Sequence, residues 1–263
     1  MCPAAPDSIL GSVLWPGAIL AAAAVASAQP VTIAVVDTGA NVRAPAIAAK
    51  SPATYDVRTH GPNVRDLNGH GTIVASLVAG SSGAARLMII RAGSSSGAFS
   101  VANEAAAIRY AVDHGARIVN LSFGGPRTSA VERSAIRYAI DRGALVVAAA
   151  GDDYAARPEY PAALVGSSGL AVAAVTGAGA HATFSNTGRW VSVAAPGERG
   201  TSFAAPLVAG AAARVWAANP RLTARGVVKI IEETSSGRGV HTDDLGYGVI
   251  DAGAAVALAR AVS

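Results

Sequence analysis

From residue 31 onward, short β-branched runs alternate with longer stretches of helical periodicity. No other feature constrains the fold of this chain as strongly. Residues 31–36 (VTIAVV), 86–91, 117–121, 145–150, 170–175 and 190–194 read as strands. Most are apolar throughout, as strands covered on both faces are. Residues 101–114 and 129–142 carry apolar side chains at helical spacing and run into Gly115 and Gly143, where a left-handed cap is expected. A small-residue helix is expected over 202–217 and a final one over 251–259. Such alternation predicts an α/β fold with a mostly parallel central sheet flanked by helices on both faces. In sheets of this kind the functional side chains collect at the carboxyl ends of the strands.

Composition narrows the class. Hydrophobic residues make up 51% of the 263 and charged residues 14%, which excludes a disordered chain. The single cysteine, Cys2, excludes a disulfide framework and a cysteine-built zinc site. The net charge is +4, and of the 21 basic residues only Lys50 and Lys229 are lysines. The arginines are scattered singly, without the clustered stripe that a nucleic-acid footprint requires. No charge lies between Asp7 and Asp37, and this stretch holds an alanine-rich run ending in Ala26-Ser27-Ala28. It reads either as a secretory signal, by its small-x-small end, or as a helix of the domain. We set residues 1–30 apart as an N-terminal segment, uncharged but for Asp7, and take 31–263 as one domain.

Three segments carry the chemistry. Val35-Val36-Asp37-Thr38-Gly39 ends a buried strand on a carboxylate, which taken alone is better explained by a turn or a helix cap. Asn68-Gly69-His70-Gly71-Thr72 sets a histidine between two glycines at the entrance to a helix, where the bland reading is a loop histidine. Gly200-Thr201-Ser202-Phe203-Ala204-Ala205-Pro206 puts a serine in the first turn of a long helix, among backbone N–H groups that have no helical acceptor. A plain serine cap competes with the functional reading, but the early proline speaks against it. Together these segments supply a nucleophile, a base and a carboxylate to orient the base, in the chain order Asp, His, Ser.

On these residues the chain resembles the subtilisin-like serine proteases, from about Val31 to its C-terminus. Further blocks are similar too: Asn120-Leu121-Ser122-Phe123-Gly124-Gly125, Phe184-Ser185-Asn186, residues 193–197 and residues 247–252. The resemblance implies a three-layer subtilisin-like fold and a serine endopeptidase. Ser202 would be the nucleophile, His70 the general base and Asp37 its orienting partner. The Ser202 N–H and residue 152 would form the oxyanion hole. Ser122, Phe123, Gly124 and Gly125 would bind extended substrate by strand addition and line the pocket for the residue before the scissile bond. An α/β-hydrolase esterase is excluded, since no Gly-x-Ser-x-Gly elbow surrounds Ser202 and the triad order differs.

Two departures from the family pattern stand out. The family usually has asparagine where this chain has Asp152, and an ionised aspartate cannot donate to an oxyanion. Only Glu198 and Arg199 separate Gly197 from Gly200, where relatives carry a longer strand-and-loop segment. That shortening threatens the ~0.5 Å placement that a catalytic serine needs. They leave a second reading open, an impaired subtilase fold that binds peptides or proteins.

Residues 79–85 (AGSSGAA) offer no carboxylate for a calcium loop, and Asp152-Asp153 and Asp243-Asp244 read as solvated turns, so neither metal nor cofactor is expected. The expected partner is a polypeptide substrate, with no nucleic acid and no membrane, and the expected state is a monomer. Secretion or a periplasmic location is expected, with the cytoplasm as the alternative.

Overall fold

The computed structural model describes Met1 and residues 30–262. The uncharged stretch that reads as a signal or a helix falls almost wholly outside the described residues. Among the described residues seven strands form one parallel sheet: β1 (Thr32–Asp37), β2 (Ala53–Asp56), β3 (Arg86–Arg91), β4 (Ile118–Leu121), β5 (Leu145–Ala149), β6 (Gly169–Val175) and β7 (Val193–Pro196). Their order across the sheet is β2-β3-β1-β4-β5-β6-β7. β1 therefore sits between β3 and β4, and the winding direction reverses at its carboxyl end. That is the crevice where open parallel sheets place their sites.

The helices are α1 (Pro45–Ala48), α2 (His70–Ser81), α3 (Val101–Asp113), α4 (Ala130–Asp141), α5 (Thr201–Ala218), α6 (Ala224–Thr234) and α7 (Ala252–Ala261). Alternate strand residues feed two cores. Ile33, Val35, Ile89, Val147 and Val172 pack under α2, α5, α6 and α7, while Ala34, Val36, Ile90, Val119 and Val146 pack under α3 and α4. The three-layer arrangement thus follows from strands that are apolar on both faces. Ser100, Ser129, Thr223 and Asp251 each cap a helix by accepting a backbone N–H through the side-chain oxygen.

Two differences from the sequence reading have clear causes. The last strand begins at Val193 rather than 190, because Ser192 is bonded sideways: its N–H donates to the Ala171 carbonyl and its hydroxyl accepts from the Ala171 N–H. α1, β2 and α6 are absent from the sequence reading. β2 is four residues at the sheet edge, too short and too exposed for a β signal to register.

In a parallel sheet a helix that follows a strand starts near that strand's carboxyl end. α2 follows β2 and α5 follows β7, so both helix N-termini point at the same edge. The two helices also touch closely: a Cβ added to Gly210 of α5 would overlap Ser81 of α2. Small residues on α5 permit that approach.

Candidate active site

Asp37, the last residue of β1, is fully buried. Its Oδ1 lies 2.8 Å from His70 Nδ1 and also accepts the Thr38 N–H at 2.7 Å. His70 is the first residue of α2, behind Gly69 in the left-handed conformation (φ 97°), a backbone state that favours glycine. Gly71 is equally constrained, since an added Cβ would run into the Gly39 carbonyl and stand 2.9 Å from Asp37 Oδ1.

The loop that delivers His70 is organised by Asp66, a residue the sequence reading passed over. Asp66 Oδ1 accepts from the Gly69 N–H (2.8 Å), the Asn68 N–H (3.0 Å) and the Thr38 hydroxyl (3.0 Å). Its Oδ2 accepts from the Thr72 N–H (2.9 Å) and hydroxyl (2.6 Å). Burial pushes the Asp66 carboxyl upward, but these bonds outweigh it and hold the group below the usual range. For His70, burial favours the neutral ring, yet the bond and charge of Asp37, helped by Asp66 and Asp152, win and raise its pKa above 6.5.

Ser202 lies in the first turn of α5, and its hydroxyl donates to the Ser122 carbonyl at 2.8 Å. In return the Ser122 hydroxyl donates to the Ser202 carbonyl at 2.9 Å. That carbonyl is available because Pro206, four residues on, has no N–H to give it. Among the described residues no hydrogen bond joins Ser202 to His70. The Phe203 ring does approach the imidazole, with centroids 5.7 Å apart. The structure thus brings Asp37 and His70 into contact, and leaves the serine hydroxyl turned to the neighbouring strand.

The short connection between Gly197 and Gly200 closes as a tight turn, with the Gly200 N–H donating to the Gly197 carbonyl at 3.0 Å. α5 is then clamped to the loop after β5. The Gly151 N–H donates to the Thr201 hydroxyl at 3.0 Å, and the Thr201 N–H donates to Asp152 Oδ1 at 2.8 Å. Asp152 accordingly acts as an acceptor at the positive end of α5, beside Gly200. Asn186 braces the same loop, its Oδ1 accepting from the N–H groups of Asp153 and Ala155 at 3.0 Å.

Beyond β4, Gly125 exchanges both backbone hydrogen bonds with Tyr160 at 2.9 Å, so of the run 122–125 it is not open to an incoming strand. A hollow of about 280 Å³ beside His70 is lined by Thr38, Asn68, Ser96, Phe99, Ser122 and Phe123. The rings of Phe99 and Phe123 stack at 4.1 Å there. Glu159, also missed in the sequence, is only 5% exposed and lies against Gly124 and Gly151. Among the described residues no group of three or more His, Cys, Asp or Glu could hold a metal ion, and no helix is long and apolar enough to cross a membrane.

The subtilase family model matches residues 28–249. The chain belongs to the subtilase family. It is 33% identical over 214 residues to the M-protease of Shouchella clausii (strain KSM-K16), covering 73% of this chain and 56% of that protein. It is 35% identical over 210 residues to the halolysin-like extracellular serine protease Nep of Natrialba magadii, covering 71% of this chain and 38% of that one. The chain therefore spans roughly half or less of these two relatives' length. A solved cold-adapted subtilisin-like serine proteinase superposes with a TM-score of 0.76 at 26% identity, over 85% of this chain and 89% of that one. These subtilase likenesses agree with the α/β architecture described above.

Proposed function

We propose that residues 31–263 form a peptidase domain that hydrolyses peptide bonds through an acyl-enzyme. Ser202 attacks the carbonyl, His70 takes the serine proton and returns it to the leaving amine, and Asp37 holds the imidazole and stabilises its charged form. The observation that carries this reading is the Asp37–His70 contact of 2.8 Å at the sheet's switch point, with Ser202 in the first turn of the neighbouring α5. The serine must first turn from the Ser122 carbonyl toward His70. A substrate strand laid along Phe123 and Gly124 would use that carbonyl for its own N–H and so free the hydroxyl. The Ser202 N–H would stabilise the oxyanion, aided by the N-terminal dipole of α5.

The substrate is a polypeptide, the acting form a monomer, and the site of action outside the cytoplasm, as the name of the Natrialba relative says of that protein. Release of peptides from unfolded casein, lost in Ser202→Ala, tests the reading. A specific observation favours a second one: Asp152 stands as an acceptor where an oxyanion donor is wanted. A folded protein that retains peptides without cleaving them would support that binding role.

A further inference from the structure

We propose that Glu159 makes the side-chain slot beside Ser202 select lysine or arginine immediately before the scissile bond; this rests on the peptidase reading above. Two backbone walls flank Ser202. One is the segment after β4, joined to it by the Ser122 carbonyl, and the other is the Gly151–Asp152 loop, clamped to α5 through Thr201. A substrate residue acylating Ser202 would send its side chain between these walls. Both walls present glycine there, and Glu159 fills the space between. A Cβ on Gly124 would stand 2.9 Å from Glu159 Oε1, and one on Gly151 would stand 2.9 Å from its Cγ.

Among the described residues no cation pairs with the carboxylate. Glu159 Oε2 is buried and has no hydrogen-bond partner among the described residues. The neighbouring charges are Asp152 and Asp153, which repel it, and Arg157, whose guanidinium is bound to Asp153 at 3.1 Å on the surface. Burial first, then Asp153 and later Asp152, push Glu159 up to about 7 against the pull of Arg157. A buried, unpaired carboxylate between two glycine backbones is costly unless a cation enters to pair with it. A lysine or arginine side chain supplies that charge on an apolar stem that can lie along the two glycine backbones. An apolar side chain would leave the carboxylate buried and unpaired, and an acidic one would be repelled.

The test compares kcat/KM for tetrapeptide p-nitroanilides that differ only in the residue before the anilide: Arg, Lys, Phe, Ala or Glu. Arg and Lys should exceed Phe by about 10- to 100-fold, the worth of one charged hydrogen bond. The Arg-to-Phe ratio should collapse toward unity in Glu159→Gln. A wild-type preference for Phe would overturn the proposal, as would an Ala preference, which would mean that Glu159 merely shortens the slot. In parallel, Ser202→Ala is titrated with N-acetyl tetrapeptide amides ending in Arg or Phe. Selective binding of the Arg peptide without turnover by the wild type would uphold the slot and sink the peptidase reading. Turnover without Arg preference would sink the slot alone, and neither turnover nor selective binding would overturn both.

Discussion

Asp152→Asn should increase turnover. Asp152 Oδ1 accepts the Thr201 N–H at 2.8 Å, a bond that an asparagine oxygen keeps unchanged. The second atom of the group, Oδ2, lies beside Gly200 at the entrance of α5. As a carboxylate oxygen it repels a developing oxyanion, and as an amide nitrogen it donates to one. Removing such a donor from a subtilisin costs about 10²–10³ in kcat; that value comes from the relative, not from this structure. Installing it should raise kcat by a similar factor, or about 2.7–4 kcal/mol of transition-state stabilisation. The helix terminus loses a favourable charge worth about 0.3–1 kcal/mol, so the variant should melt slightly earlier. Asp152 also helps raise the His70 pKa, so the acid limb of kcat/KM should move to lower pH. Steady-state kinetics on one chromogenic peptide from pH 5.5 to 9, with a melting curve, measures all three effects. A folded variant with unchanged or lower kcat would refute the oxyanion argument.

Asp37→Asn should lower kcat by about 10⁴, as loss of the orienting carboxylate does in serine proteases, and pull the His70 titration seen by NMR downward. Asp66→Ala frees five donors around the His70 loop and should lower kcat while peptide binding to the Ser202→Ala background stays within a few-fold; equal losses in both would contradict a positioning role. Far from the site, Glu104 of α3 and Glu132 of α4 are buried together, and burial followed by the Glu132 charge pushes Glu104 up to about 8. Its folded pKa exceeds the unfolded 4.5, so the folded state binds the extra proton and stability falls as pH rises from about 4.5 to 8. Glu104→Gln should flatten that slope and raise the melting temperature at pH 9; an unchanged pH profile by calorimetry would count against it.

The strands were legible because burial on both faces makes them continuous apolar runs, as 31–36 and 145–150 show. α6 was not, although Thr223 caps it and its apolar residues lie on one face: it shares no motif and follows no strand. Asp37, His70 and Ser202 stood out because each sits in a glycine-marked segment. Asp66 left a fainter trace, an aspartate two residues before Asn68-Gly69, where a side chain can bond its own loop. Glu159 left none. Its role depends on Gly124 and Gly151, which are distant in sequence and meet only in the fold. The direction of the Ser202 hydroxyl was equally hidden, because it depends on Ser122 across the neighbouring strand.

On the peptidase reading Asp37, His70 and Ser202 act as one unit despite the short approach to α5. Labelling the purified chain at pH 8 with a fluorophosphonate probe tests it most directly, with Ser202→Ala and His70→Ala alongside and folding checked by thermal transition. A single labelled residue, Ser202, is expected, with labelling abolished in Ser202→Ala and strongly slowed in His70→Ala. A folded protein that takes up no probe, or takes it up equally without His70, would contradict it.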